Sequence, residues 1–229
     1  MTSQPMDLRG KRVLITQAHD FMGPAFCEVF AELGAEVIAD ESSLEDPLAP
    51  AAIVARAGHL DAVVANLGVP AASTPAVEAG EQEWRLAFAH MVDPLPRLAR
   101  AVLPQMIARR SGKFLLLGSA SALRGMKRAS TYSAARGAQL AYIQAVGIEM
   151  APHNVQVNAI AQNFVDNATY FPPEIQARPA FQERLKREVP LGRLVAARED
   201  AMFAAYLCSP AADCFVGQVF PVSGGWVMR

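Results

Sequence analysis

The chain is poor in the residues that cross-link small proteins or hold metals. Its three cysteines, Cys27, Cys208 and Cys214, are an odd number with no C-x-x-C spacing, which points away from a disulfide framework or a zinc site. They read as buried or incidental thiols. The four histidines are scattered without metal-ligand spacing. A formal net charge of -1 leaves no basic footprint for nucleic acid or an anionic membrane. Apolar runs are broken well before the roughly 18 residues of a spanning helix. The first ten residues, M-T-S-Q-P-M-D-L-R-G, lack the apolar core of an export signal. The expectation is a cytoplasmic protein whose residues 1–229 form one domain.

What the chain does have is alternation. Short apolar runs recur at 11–16, 35–40, 61–66, 113–118, 155–160 and 218–223, apolar on both faces as strands covered on both sides are. Helical patterns lie between them, among them 84–109, 130–150 and 173–188. Strands alternating with helices predict an α/β fold with a doubly wound, Rossmann-like parallel sheet of about six to seven strands. Only 20 residues separate Asp40 from Asp61. A parallel crossover takes roughly a dozen or more, so the gap holds one helix, about 48–57, and the sheet is trimmed to about six strands on that side.

The stretch T-Q-A-H-D-F-M-G at 16–23 joins the first strand to the first helix, where such folds place a glycine-rich phosphate loop. Gln17 and Phe21 stand there in place of two glycines. Further along, G-S-A-S-A-L-R-G-M-K-R-A-S-T-Y-S-A-A-R at 118–136 closes a strand and opens a helix. Ser119 falls at the carboxyl end of that strand, where open α/β sheets place reacting groups. Tyr132 and Arg136 are four apart and share a helical face. An isolated tyrosine ionises near ~10; a fixed cation beside it stabilises the phenolate and makes Tyr132 a candidate general base. Taken alone, the Tyr–Arg pair is also what an ordinary surface helix shows. Ser121 is a weaker rival to Ser119, two residues too close to Tyr132, and Ser133 points to another face.

In these elements the chain resembles the short-chain dehydrogenase/reductase superfamily. N-L-G (66–68), V-N-A-I-A (157–161), P-L-G-R-L (190–194) and G-Q-V-F-P-V-S-G-G-W (217–226) add to the likeness. It departs in three places: Arg136 replaces the lysine, the loop keeps only its first Thr and last Gly, and Gln162-Asn163 replaces Pro-Gly after strand 155–160. Together these changes resemble the halohydrin dehalogenases. The resemblance implies a cofactor-free enzyme, a lyase that turns a vicinal haloalcohol into an epoxide and halide, and opens epoxides with small anions such as azide, cyanide or nitrite. It implies Ser119, Tyr132 and Arg136 as the catalytic set, and a homotetramer built through helices near 80–109 and 130–150.

The halide would lie against Gln162, Asn163, Phe164 and Val165, whose backbone N–H groups can form an anion-binding turn, with Phe21 as an apolar wall. Each of these has a second reading. Phe21 either faces the pocket or pins loop to helix. Asn163 either meets the halide or caps its own turn through an Asx hydrogen bond, and Phe164 is either a pocket wall or buried by the helix at 173–188. Tyr170 and Phe171, in an aromatic and proline-rich loop, either shape the substrate pocket or pack a second subunit. Asp40 reads as a relic of ribose binding or a helix cap, and His19 and Asp20 as a solvated loop pair. A working NAD(P)-dependent oxidoreductase with an atypical loop is the rival to the whole reading.

Overall fold

A computed structural model describes residues 6–228. It has six strands: β1 (Arg12–Thr16), β2 (Glu36–Asp40), β3 (Ala62–Asn66), β4 (Gly112–Ser119), β5 (Val155–Gln162) and β6 (Val219–Val222). All pair in parallel in the order β2-β1-β3-β4-β5-β6. The short gap after Asp40 holds one helix and β2 is the sheet edge, as the spacing predicts.

Period-two alternation sends successive side chains to opposite faces. On β4, Phe114 and Leu116 join one core with Ile53, Leu98, Val102 and Ile143, while Leu115 and Leu117 join the other with Phe26, Phe30, Ala204 and Leu207. Helices α1 (Gly23–Glu32), α2 (Ala49–Ala57), α3 (Glu81–Ala87), α4 (Pro94–Arg109), α5 (Ser121–Arg124), α6 (Ser130–Met150), α7 (Pro173–Gln176), α8 (Pro179–Glu188) and α9 (Ala197–Leu207) cover these faces and the carboxyl edge. The central strands β3 and β4 are buried throughout, and the edge strands β2 and β6 are half-covered.

Two expected helices are interrupted. The pattern at 84–109 divides into α3, a π-helical turn at Phe88–Val92 and α4. Pro94, which lacks an N–H, stands where the α-helix restarts. Likewise the pattern at 173–188 splits into α7 and α8, with Pro179 starting the second.

Candidate active site

The carboxyl ends of β1, β3, β4 and β5 converge on a cavity of about 290 Å³. Ser119, Tyr132, Arg136, Gln162, Asn163, Phe164, Val165, Phe21, Tyr170 and Phe171 all line it. One cavity therefore gathers every candidate residue, from positions 21 to 171.

α6 presents Tyr132 and Arg136 one turn apart, and the guanidinium carbon of Arg136 lies 5.1 Å from the centre of the Tyr132 ring. Both residues are over nine-tenths buried. Arg136 is held by its Nη1, which donates to Leu67 O (2.8 Å), Leu117 O (3.1 Å) and Gln139 Oε1 (2.9 Å). Burial alone would push the Tyr132 phenol up. The Arg136 guanidinium, with the polar groups of Tyr170 and Ser119 nearby, outweighs it and holds the phenol below the ordinary tyrosine value. Tyr170 moves the other way, raised by burial and by the neighbouring Tyr132 phenolate. Two phenols side by side thus have distinct roles available, one as proton acceptor and one as donor. Ser121 proves to be a partner of Ser119 instead of a rival: their hydroxyl oxygens are 2.9 Å apart, and the Ser121 N–H donates to Ser119 Oγ at 3.2 Å.

The loop after β1 is closed by its own side chains. Gln17 accepts from the Gly68 N–H (2.8 Å) and donates to Gly68 O (3.1 Å). The Asn66 amide donates to Gln17 O and Asp20 O, each at 3.0 Å. Gln17 and Phe21 have φ of 44° and 51°, so each keeps a left-handed backbone that glycine adopts more readily. The Phe21 ring borders the cavity and lies 5.6 Å from the Tyr170 ring, centre to centre. Gly68 permits this: an added Cβ would sit 2.9 Å from Arg136 Nη2 and 3.3 Å from the Phe21 ring. Gly23, the loop glycine that remains, has Gln17 O and Ala18 O at 2.5 Å from where a Cβ would be.

This arrangement does not fit a dinucleotide. A pyrophosphate needs open backbone beside a glycine loop, and here Gln17 and Phe21 fill it. The adjoining cleft of about 320 Å³ is lined by Asp20, Glu41 and Glu45 together with His19 and His90, which pair with Glu41 and Glu45. Asp40 is also committed. It accepts from the Ser42 N–H and from Arg56 Nη2 at 2.7 Å, so it ties β2 to α2 and caps no helix. His19 and Asp20 are exposed, but His19 pairs with Glu41 at 3.0 Å, not with Asp20.

The turn after β5 corrects part of the expected anion site. The Asn163 N–H donates to Val222 O (3.0 Å), and the Phe164 N–H to Asn163 Oδ1 (2.9 Å). The side-chain amide of Gln162 is turned to the carboxylate of Asp200. Asn163 Oδ1 thus caps the N–H of the next residue, one position short of an Asx turn, and among the described residues the Asn163 Nδ2 and the Val165 N–H are the turn's donors left without a partner. Phe164, at φ 52°, is both wall and core: it lines the cavity, stacks on Phe171 and tilts against Trp226. The segment 163–171 packs on its own cavity, with Tyr170 Oη donating to Val69 O at 3.1 Å.

Three contributors, Gln139, Asp200 and Arg184, carried no candidate role in the sequence analysis, and Gln17 was noted there only as a departure from the glycine loop. Gln139, fully buried, accepts from Arg136 and donates to Met91 O, a carbonyl in the π-helical turn, where the register change disturbs helix bonding. Asp200 is fully buried with Oδ1 unpartnered, and burial raises its carboxyl to about 7 against the Gln162 hydrogen bond. Gln17 acts through a clamp on Gly68, and Arg184 reaches the cavity from α8. Only Gln139 had a sequence signal, lying three residues after Arg136 on one helical face. Among the described residues no group of His, Cys, Asp and Glu is arranged to hold a metal, and no helix is long and apolar enough to cross a membrane.

Residues 2–227 match the family described as enoyl-(acyl carrier protein) reductase. The chain belongs to this family of short-chain dehydrogenases/reductases. The 3-oxoacyl-[acyl-carrier-protein] reductase FabG of Vibrio cholerae is 28% identical over 250 residues, covering 97% of this chain and 100% of the relative. A solved structure titled "Dehalogenation enzyme" superposes with a TM-score of 0.89 at 31% identity, covering 96% of this chain and 100% of that one. Halohydrin dehalogenase HheC bound to ethyl (2S)-oxiran-2-ylacetate has a TM-score of 0.86 at 26% identity, covering 96% and 99%.

Proposed function

We propose that this member of the short-chain dehydrogenase/reductase family is a cofactor-independent halohydrin dehalogenase. The observation that carries the reading is the cavity around Tyr132, closed by Phe21 where a nucleotide loop would open and supplied with the unpartnered Asn163 amide. The likeness to two dehalogenases over nearly the whole chain supports it.

In the proposed reaction Ser119 donates to the substrate hydroxyl oxygen and orients it. The O–H bond breaks and its proton passes to the Tyr132 phenolate, which Arg136 stabilises. The oxygen's electron pair forms the new C–O bond of the epoxide while the C–halogen bond breaks, its pair leaving with the halide. Asn163 Nδ2 and the Val165 N–H meet that developing charge, and Phe21 and Phe164 exclude water. Tyr170 and Phe171 form the substrate wall. No electrons are gained or lost overall, so no redox partner is needed. Run backwards, the same steps open an epoxide with a small anion. We further propose a cytoplasmic homotetramer assembled through α3, α4 and α6, where Trp84, Leu86 and Ile148 are exposed.

A second reading, an NAD(P)-dependent oxidoreductase, is favoured by the family description and by FabG. Halide release from a panel of vicinal bromo- and chloro-alcohols, set against thermal shift with NADH and NADPH, separates the two. Halide release without nucleotide supports dehalogenation; saturable micromolar nucleotide binding without halide release supports the oxidoreductase.

A further inference from the structure

The cavity lining contains two guanidinium groups, Arg136 and Arg184, and no carboxylate. Arg136 is over nine-tenths buried, holds Leu67 O, Leu117 O and Gln139 Oε1 through Nη1, and stands beside the Tyr132 ring, where its charge serves the phenol. Arg184 is different. It stands on α8 with its side chain 45% exposed, and its guanidinium carbon lies 5.2 Å from the centre of the Phe164 ring. Its Nε donates to Glu188 at 3.1 Å, but Glu188 also pairs with Arg187 at 2.9 Å. Two arginines on one glutamate leave a net positive charge. The terminal nitrogens of Arg184 have no protein partner among the described residues. Stacking on an aromatic face and a fixed Nε pre-organise a planar fork, which suits bidentate capture of a carboxylate.

We infer that the substrate of this cavity carries a carboxylate, which Arg184 binds at the mouth while the hydroxyl carbon reaches Tyr132. The substrate class is then a short vicinal halohydroxy acid or epoxy acid. This inference rests on the proposed dehalogenation for the reacting end of the substrate, and on Arg184 alone for the carboxylate.

The test measures chloride release from 4-chloro-3-hydroxybutanoate and its neutral isostere 1-chloro-4-methylpentan-2-ol, by the wild-type chain and Arg184→Gln. The wild type should favour the acid in kcat/KM by roughly tenfold to a hundredfold, the range of one charge-assisted contact. Arg184→Gln should remove that preference, mainly through KM, with a far smaller change for the isostere. Equal kcat/KM for the two substrates in the wild type, or a parallel fall for both in the variant, overturns the inference. If neither compound is dechlorinated, the haloalcohol panel decides the dehalogenase reading and a binding measurement decides this one. In that case 3-hydroxybutanoate should raise the melting temperature of the wild type but not of Arg184→Gln, and 4-methylpentan-2-ol should raise neither. Equal shifts in both proteins, or none, overturn it.

Discussion

The loop after β1 and the turn after β5 border one cavity, and both carry side chains on left-handed backbone: Gln17 and Phe21 in the first, Phe164 in the second. Each such residue costs about 1–2 kcal/mol against a right-handed alternative, so both segments are held by their surroundings. They differ in where their polar groups go. The loop ties the Gln17 amide to Gly68 and the Gln17 and Asp20 carbonyls to the Asn66 amide of β3. The turn caps one N–H with Asn163 Oδ1 and leaves the Asn163 Nδ2 and the Val165 N–H without a partner among the described residues, on two residues that line the cavity. A sealed segment makes a wall; a segment with spare donors is where the proposed reaction puts its halide.

The largest effect should come from the residue both segments serve. Tyr132→Phe removes the proton acceptor and should lower halide release by roughly 10²–10⁴-fold, read as initial rates with the fold checked by circular dichroism. Next, Asn163→Ala should weaken inhibition by added bromide and cut kcat by roughly tenfold or more, whereas Gln17→Ala should leave bromide inhibition nearly intact. Equal responses would erase the distinction between loop and turn. Arg136→Gln removes the cation that lowers the Tyr132 pKa. Because the phenolate is the active form, activity rises with pH through that pKa, and the rising limb should move upward, since burial then acts without the guanidinium to oppose it.

Stability effects are smaller. Gln17→Ala deprives the Gly68 N–H and C=O of their partners and should cost about 1–3 kcal/mol in denaturant unfolding. Asp200, behind the turn, binds a proton up to about 7 when folded and only to about 4 when unfolded. Between those values the native state holds more protons, so stability declines as pH rises and levels off above 7. The charged groups of the helices packed there are paired elsewhere, Arg198 with Glu32 and Glu199 with Arg193. Asp200→Asn should flatten that decline, as read from melting temperatures between pH 4 and 8; an unchanged slope would assign it to other groups.

The sheet was legible because its information is local: six apolar runs, and a gap after Asp40 too short for a further strand. The site was legible where residue type and spacing coincide, as at Ser119, Tyr132 and Arg136. Two side chains have partners that local pattern did not show. Asp40 read as a relic of ribose binding or a helix cap, and Gln162 as part of the anion turn. Their actual partners, Arg56 and Asp200, lie 16 and 38 positions away. The Gln17 clamp on Gly68 spans 51 positions and has no local pattern. Nor does Arg184, whose place at the cavity depends on the break between α7 and α8.

The most direct test of cofactor-free dehalogenation uses nucleotide-free protein and a vicinal bromoalcohol, with bromide and epoxide measured together. Bromide and epoxide should appear in equal amounts without NAD(P)H, and both should fall together, by roughly 10²–10⁴-fold, with Tyr132→Phe. Absence of bromide release across the haloalcohol panel, joined to NAD(P)H-dependent reduction of a carbonyl substrate, would contradict the account.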